Sequence, residues 1–421
     1  MVGSPLSTAS RPAARSRRTV VVTGIGVISS IGTGADEYAV ALREGRSGAR
    51  PLTRIDTTGF LRKNAAEVED FEPARWIRNI PLDHTGRAGH FAVAAARQAV
   101  EDAGLTDEEL AARHVLISIG TTDGESHDLG TLVEQELADG GPDALDPVLA
   151  RRLGSGRLST AVARELRLRD AEAVTLTTAC AAGNYSIGYG LDVIRSGEAD
   201  IALCGGADAV CRKTFATFQR LGAITPDVVR PFDVNRKGIL TGEGGGVLVL
   251  ESLESALARG ARVYAEVLGY GLSCDAQHPT APSRDGVARA MELALADAGV
   301  KKDQVDYISA HATGTRANDA AEAGAIVDVY GEHPPRTIGL KSMLGHSMGA
   351  ASALAAAACA LSIHNGFIPP TINHQETDPQ CPVDCVPNHA VTADVRIVQN
   401  NSSAFGGNNA VLILGSLKER V

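Results

Sequence analysis

The 421-residue sequence predicts an α/β fold in which two related halves carry a largely parallel, buried sheet. Three observations predict it. Short runs of Val, Ile and Leu alternate with segments of helical spacing along most of the chain. Those runs are apolar on consecutive residues, as in strands covered on both faces. One unit also occurs twice, at residues 101–122 and 296–315: a helix end reading Asp-Ala-Gly, a charged spacer, and a strand that runs into a threonine-bearing turn. The repeat puts the boundary between the halves near residue 265, giving a first half over 18–265 and a second over 266–421.

Residues 1–17 are rich in Ser, Pro and Arg without an apolar run, and read as a disordered leader or a start-site artefact rather than a secretory signal. RTVVVTGIGVISSIG from Arg18 is a strand entering a glycine-rich turn. Helical spacing follows in ADEYAVALREG and in HFAVAAARQAVEDAGL, which Gly104 closes. HVLISIGTT from His114 is a buried strand. The polar stretch over 123–154 reads as irregular, an inserted cap or a region that meets a partner. AVTLTTAC is a strand opening into the helical AAGNYSIGYGLDVIRSG, and ADIALCGGAD and GGGVLVLE are further strands, the second passing into a helix. Past residue 265 the order repeats: strand RVYAEVLGYGL, helix VARAMELALADAGV, strand VDYISAHATGT, helix ANDAAEAGAIVDVYG, then RTIGLKS, an alanine-rich helix and NAVLILGSL.

Composition excludes several classes. Net charge is −10, and no basic cluster stands out beyond residue 18, which argues against nucleic acid or an anionic membrane as the main partner. MGAASALAAAACALSI from Met348 is too short and alanine-rich to span a bilayer, and reads as a buried helix. Seven cysteines, an odd number without framework spacing, read as reduced thiols in the cytoplasm.

Chemistry concentrates at strand ends. Cys180 sits where an apolar strand meets a helix start, and the positive end of that helix favours a thiolate. Ala181, Ala182 and Gly183 behind it allow close backbone approach. Most cysteines are inert, and Cys204, Cys211, Cys274 and Cys359 are read so. Two histidines single out Cys180: His311 ends a strand, and His346 follows RTIGLKSMLG, with Lys341 nearby. A thiol nucleophile with two imidazoles at strand exits suits acyl transfer, with ring N–H groups stabilising charge on a carbonyl oxygen.

At these residues the chain resembles a known family. TACAAG around Cys180, HATGT from His311, GLKSMLGH from Gly339 and NSSAFGGNNA from Asn401 are similar to the four motif blocks of the β-ketoacyl-acyl carrier protein synthases, nearest the type II elongating enzymes of fatty-acid and polyketide synthesis. The resemblance runs from about Arg18 through RPFDVNRKGILTGEGGGVLVLE and PPTINHQETDP. It implies a thiolase-like fold of two α/β halves in five layers (αβαβα), working as a homodimer or as a heterodimer with a related ketosynthase-like subunit. It implies decarboxylative condensation of a Cys180-bound acyl group with a malonyl thioester. The partner is acyl carrier protein, phosphopantetheine arrives on that carrier, and no other cofactor or metal is implied. By the same resemblance His311 and His346 bind the malonyl thioester oxygen. Lys341 is expected to orient the site, with Glu322 as its pairing partner. The N–H groups of Cys180 and Phe405 form an oxyanion hole, and Phe405 gates the pocket. Thr313 and Thr315 hold the phosphopantetheine arm, and Phe218 lines the acyl pocket, with Glu322 counted among the substrate-side groups. Two readings stay beside it: a chain-length-determining subunit with little chemistry, and a thioester hydrolase or simple acyltransferase.

Three departures from the family pattern point toward specialised metabolism: Ser403 and Ala404 before the gate, Ala355 where a glutamate is common, and TACAAG itself. Other motifs are set aside. TGIGVISSIG lacks the third glycine of a dinucleotide loop. HQETDPQCPVDCVPNH has no C-x2-C pair for zinc. The glycines of TGEGGG read as close backbone packing.

Overall fold

The computed structural model describes residues 18–154 and 156–417. The leader read over 1–17 lies outside them. Ten strands make the path of one large sheet: β1 (Val20–Ser29), β2 (Val115–Gly120), β3 (Ala171–Leu176), β4 (Ile201–Asp208), β5 (Gly244–Ser252), β6 (Ala265–Cys274), β7 (Tyr307–Ser309), β8 (Arg336–Ile338), β9 (Ile397–Ser403) and β10 (Asn408–Gly415). Their order is β8-β7-β9-β10-β6-β1-β5-β4-β2-β3, with a short strand at Gly32–Thr33 hung on β1.

Read outward from the centre, the two arms have one connectivity. In each, the first strand pairs antiparallel with the last, the last antiparallel with the next, and two parallel pairings follow. The arms join where Val21 and Val22 pair with Glu266 and Ala265. The repeated sequence unit falls on equivalent strands, β2 and β7. A largely parallel sheet was the expectation; only the outer pairings are parallel. The centre is antiparallel because β9 and β10 form a hairpin and β5 runs back between β4 and β1. Buried strands in either arrangement are apolar throughout, so the sequence pattern did not separate them.

The helices used below are α1 (Arg87–Asp102), α2 (Ser126–Asp139), α3 (Arg157–Glu165), α4 (Ala182–Ser196), α5 (Arg212–Arg220), α6 (Arg284–Ala298), α7 (Arg316–Tyr330) and α8 (Ala351–Asn365). α4 and α8 each touch strands of both arms and form the middle layer. α1 and α3 cover the first arm, α6 and α7 the second, which completes five layers. Small residues make this packing possible. A Cβ at Gly26 of β1 would lie 1.8 Å from the Ala95 carbonyl oxygen of α1, so the TGIG glycines serve helix-on-strand contact. The alanine-rich segment 348–365 is 83% buried, as a core helix between sheets must be.

The stretch over 123–154 is not irregular. It is mostly α2 and a short helix at Pro147–Arg152. Its period was hidden because Leu129, Val133 and Leu137, at helical spacing, point to solvent while Leu132 faces inward. Cys381 and Cys385 pack with Phe232 and Ala312 in an apolar cluster, and among the described residues no group of three metal-ligating side chains assembles.

Candidate active site

The loops that carry Cys180, His311 and His346 each hold one non-glycine residue in left-handed backbone. Cys180 lies in a single turn, Ala179–Ala181, between β3 and α4. His311 follows β7, and His346 follows β8 and the helical turn Lys341–Leu344. Ala179, Ala312 and Met348 adopt φ of 49°, 42° and 50°. Left-handed backbone at a non-glycine residue costs on the order of 1 kcal/mol or more, and such residues cluster where geometry serves chemistry. The Cys180 and His346 loops are related. Ala179–Ala181 leads into α4 and Met348–Ala350 leads into α8, each opening on the positive-φ residue.

One cavity gathers Cys180, His311, His346, Phe218, Thr313, Thr315 and Phe405. The three chemical groups are nearly hidden, at 5%, 4% and 3% exposure respectively. The imidazoles stand edge to face, ring centres 5.5 Å apart. Phe405 is 41% exposed in the β9–β10 turn, its ring 5.5 Å from that of Phe218. Thr313 and Thr315 share a hydroxyl hydrogen bond of 2.9 Å, and Thr315 caps α7. Ile239 and Ala223 complete the apolar wall, while Asn318 and the 278–282 loop border the polar end.

Hydrogen bonds fix the histidine tautomers. The Met348 N–H donates to His346 Nδ1 at 3.2 Å, so the ring proton sits on Nε2. The Lys341 ammonium has no acceptor capacity, and it stands 3.3 Å from His311 Nδ1. His311 therefore carries its proton on Nε2 as well. Burial first, then Lys341, holds both imidazoles well below the usual histidine range; for His311 the neighbouring His346 adds to this. The site thus presents two neutral N–H donors.

Burial works against the thiolate expectation. The α4 terminus was expected to favour ionisation. Burial instead pushes the Cys180 thiol up to about 12, with Lys341 opposing and Asp208 and Asp123 reinforcing the rise. Lys341 itself is lowered to about 8 by burial, against the pull of Glu322, Cys180 and Asp319.

Glu322 is not on the cavity wall and makes no ion pair with Lys341 within 4 Å among the described residues. Its carboxylate accepts the N–H groups of His311 and Ala312, both at 2.8 Å, and the amide of Asn401 at 3.1 Å. It braces the His311 turn from behind. Of the cysteines set aside, Cys204, Cys211 and Cys359 are buried, whereas Cys274 is exposed at the end of β6.

Sequence reasoning missed three supports. Ser402 donates to the Cys180 carbonyl at 3.0 Å. Asn184 and Asn400 exchange hydrogen bonds between α4 and β9. Asp208, at the end of β4, gathers four donors from both arms. Only Ser402 and Asn400 had a signal, a polar run inside a buried strand.

Residues 17–256 match the model of the β-ketoacyl synthase N-terminal domain, and 264–375 that of its C-terminal domain. The chain belongs to the β-ketoacyl synthase family. Among curated β-ketoacyl synthases, it is 38% identical over 409 residues to 3-oxoacyl-[acyl-carrier-protein] synthase 2 of Synechocystis, covering 94% of this chain and 97% of that one. Among solved structures it is similar to a chain of the ishigamide ketosynthase/chain length factor, at 72% identity and a TM-score of 0.94, covering 95% of this chain and all of the other. It also matches a chain of AntDE:AntF, a type II PKS acyl-carrier protein in complex with its ketosynthase, at 30% identity and a TM-score of 0.87, again over 95% and 100%.

Proposed function

We propose that this β-ketoacyl synthase carries out decarboxylative Claisen condensation between an acyl group held on Cys180 and malonyl-acyl carrier protein, within a type II polyketide, polyene or fatty-acid pathway. The observation that carries the reading is the pair of neutral Nε2–H donors, on His311 and His346, in one buried cavity with a cysteine. Cys180 sulfur attacks the acyl thioester, the carrier's sulfur leaves, and the thiol proton passes to it. A malonyl thioester then enters with its carbonyl oxygen on the two imidazoles. The carbon–carboxylate bond breaks, CO2 departs, and its electron pair becomes an enolate held by the two N–H donors. The enolate carbon attacks the acyl-cysteine carbonyl, the C–S bond breaks, and Cys180 regains a proton. The N–H groups of Cys180 and Phe405, two residues that line the cavity, receive the oxyanion of each attack. Phe405 opens the pocket, Phe218 borders the acyl chain, and Thr313 with Thr315 receives the phosphopantetheine arm. Ser403 and Ala404 leave the gate turn less bulky, which suits a long or stiff acyl chain.

Basic ground beside the pocket suits the docking of an acidic carrier. The 52–63 loop packs on α5, which supplies Phe218, through Phe60 on Phe215. There Arg54, Arg62, Lys63, Arg212 and Arg220 are exposed in a chain of net charge −10, around Leu61, which is 85% exposed. The ketosynthase-like partner subunit meets the open edge of β3 and the apolar face of α2. Seven free thiols suit a reducing cytoplasm.

Incubation with malonyl-carrier protein and a panel of acyl-carrier proteins tests the reading by intact-protein mass. Expected are a Cys180 adduct, absent in Cys180→Ala, a product two carbons longer, and CO2. Hydrolysed acid without chain extension would establish a hydrolase instead. Turnover that needs a partner subunit and survives Cys180→Ala would establish the chain-length-determining role.

A further inference from the structure

We infer that Asp208 is a positioning residue for His346, acting through the turn at Met348–Gly349. The inference rests on the reading of His346 as a donor to the malonyl thioester. Asp208 ends β4 in the first arm and is fully buried. Its carboxylate accepts from the Thr121 hydroxyl at 2.6 Å and from the Thr122 and Asp123 N–H groups at 2.7 and 3.0 Å. It then reaches into the second arm and accepts the Gly349 N–H at 2.6 Å.

That last bond bears on the chemistry through one peptide. Met348 holds a left-handed φ of 50°, which an L-residue keeps only when its surroundings enforce it. Asp208 pins the amide that follows Met348. The amide of Met348 itself then meets His346 Nδ1. Without that donor the imidazole is free to place its proton on Nδ1, and its other nitrogen would face the substrate oxygen with a lone pair. The turn has no room to settle toward β4: a Cβ at Gly349 would lie 2.6 Å from Thr121 Cα and 2.8 Å from the Asp208 carboxylate.

The related turn of the other arm shows what the carboxylate does. Ala179 matches Met348 in φ, and Cys180 takes the place of Gly349. Among the described residues no backbone hydrogen bond reaches the Cys180 N–H from outside its own turn, and Cys180 lines the cavity. Its counterpart at Gly349 is consumed by Asp208. One turn offers its amide to substrate; the other spends it on orienting a histidine. A buried carboxyl is a costly strut, since burial and Asp123 push it up to about 7.

The test compares Asp208→Ala and Asp208→Asn. Asparagine can keep its carbonyl on the Thr122 and Gly349 amides, but its NH2 then meets the Asp123 N–H as well as the Thr121 hydroxyl, so it should restore the His346 tautomer and part of the decarboxylation rate. Expected in Asp208→Ala is a loss of malonyl decarboxylation of about 10- to 100-fold in kcat with little change in KM, as a displaced catalytic group gives. Acylation of Cys180, followed by intact mass, should change by less than about threefold. The second readout is the His346 tautomer in 15N-histidine-labelled protein. Nε2–H is expected in wild type and Asp208→Asn, and a mixture in Asp208→Ala. If the Ala variant is insoluble, Asp208→Ser, too short to reach Gly349, should give the same pattern. Unchanged tautomer and decarboxylation within twofold of wild type would overturn the inference, as would parallel loss of acylation and decarboxylation. A tautomer shift in a protein that never condenses would uphold Asp208 and sink the condensing reading instead.

Discussion

Lys341 grips His311 twice: its ammonium lies 3.3 Å from Nδ1 and also donates to the carbonyl oxygen of the same residue. The residue that reinforces burial in keeping the imidazole neutral therefore also fixes its backbone. Ala355 stands beside a small cavity that Lys341 also lines. No carboxylate pairs with this ammonium within 4 Å among the described residues, and burial brings it down to about 8.

From this follows an alkaline limb. Below pH 8 Lys341 is charged and holds His311 in its Nε2–H form. As pH rises through about 8 the charge is lost and the grip on Nδ1 weakens. Condensation kcat should fall along that limb with an apparent pKa near 8. Lys341→Met should remove the limb and lower malonyl decarboxylation by about 100-fold or more, in the range for losing one transition-state donor. Steady-state rates between pH 6 and 9.5 check both; a Met variant that keeps the limb would assign it to another group.

Cys180 should behave as a buried thiol, not as a pre-formed thiolate. With its pKa pushed up to about 12, alkylation by iodoacetamide should rise close to tenfold per pH unit from pH 6 to 8 and show no plateau below pH 9. Peptide mass mapping after timed quenching reads it. A plateau near pH 7 would mean that the α4 terminus and Lys341 outweigh burial after all.

The two opposed signs at Cys180 mark how far the sequence could be read. That a thiol stands at a strand–helix junction was legible from TLTTACAAG. The depth of its burial was not, because it depends on β9 and α8, more than 160 residues away. The same division runs through the fold. Equivalent strands β2 and β7 were visible as a repeated unit, since helix end, spacer and strand are contiguous. The antiparallel centre was not, since buried strands look alike in either direction. Helix α2 escaped because its regular apolar face looks outward. His311, His346 and Lys341 were found by residue type at strand ends, whereas Asp208 looked like an ordinary acid closing GGAD. Glu322 was placed with Lys341 and the substrate side by resemblance, and sequence does not show that its oxygens turn toward the His311 and Ala312 backbone.

Two glycine-to-alanine substitutions should move stability in opposite directions. Gly183 is the second residue of α4, where that helix crosses the start of α8. A Cβ there would lie 2.6 Å from the Ala353 nitrogen and 2.8 Å from both Ala353 Cβ and Ser352 Oγ. Two of those atoms belong to rigid backbone or its first carbon, so the helices must part. Overpacking of this kind costs about 1–3 kcal/mol. It would also disturb the Asn184 N–H on Ser352 Oγ and shift the Cys180 turn that precedes the helix. Gly183→Ala should lower the urea midpoint and slow Cys180 acylation together. Gly130 lies inside α2 with nothing within 4 Å of its would-be Cβ. There alanine only gains helix propensity, so Gly130→Ala should raise stability by up to about 1 kcal/mol and leave acylation untouched. Equal midpoints for the two variants would mean that the α4–α8 crossing is looser than 2.6 Å implies.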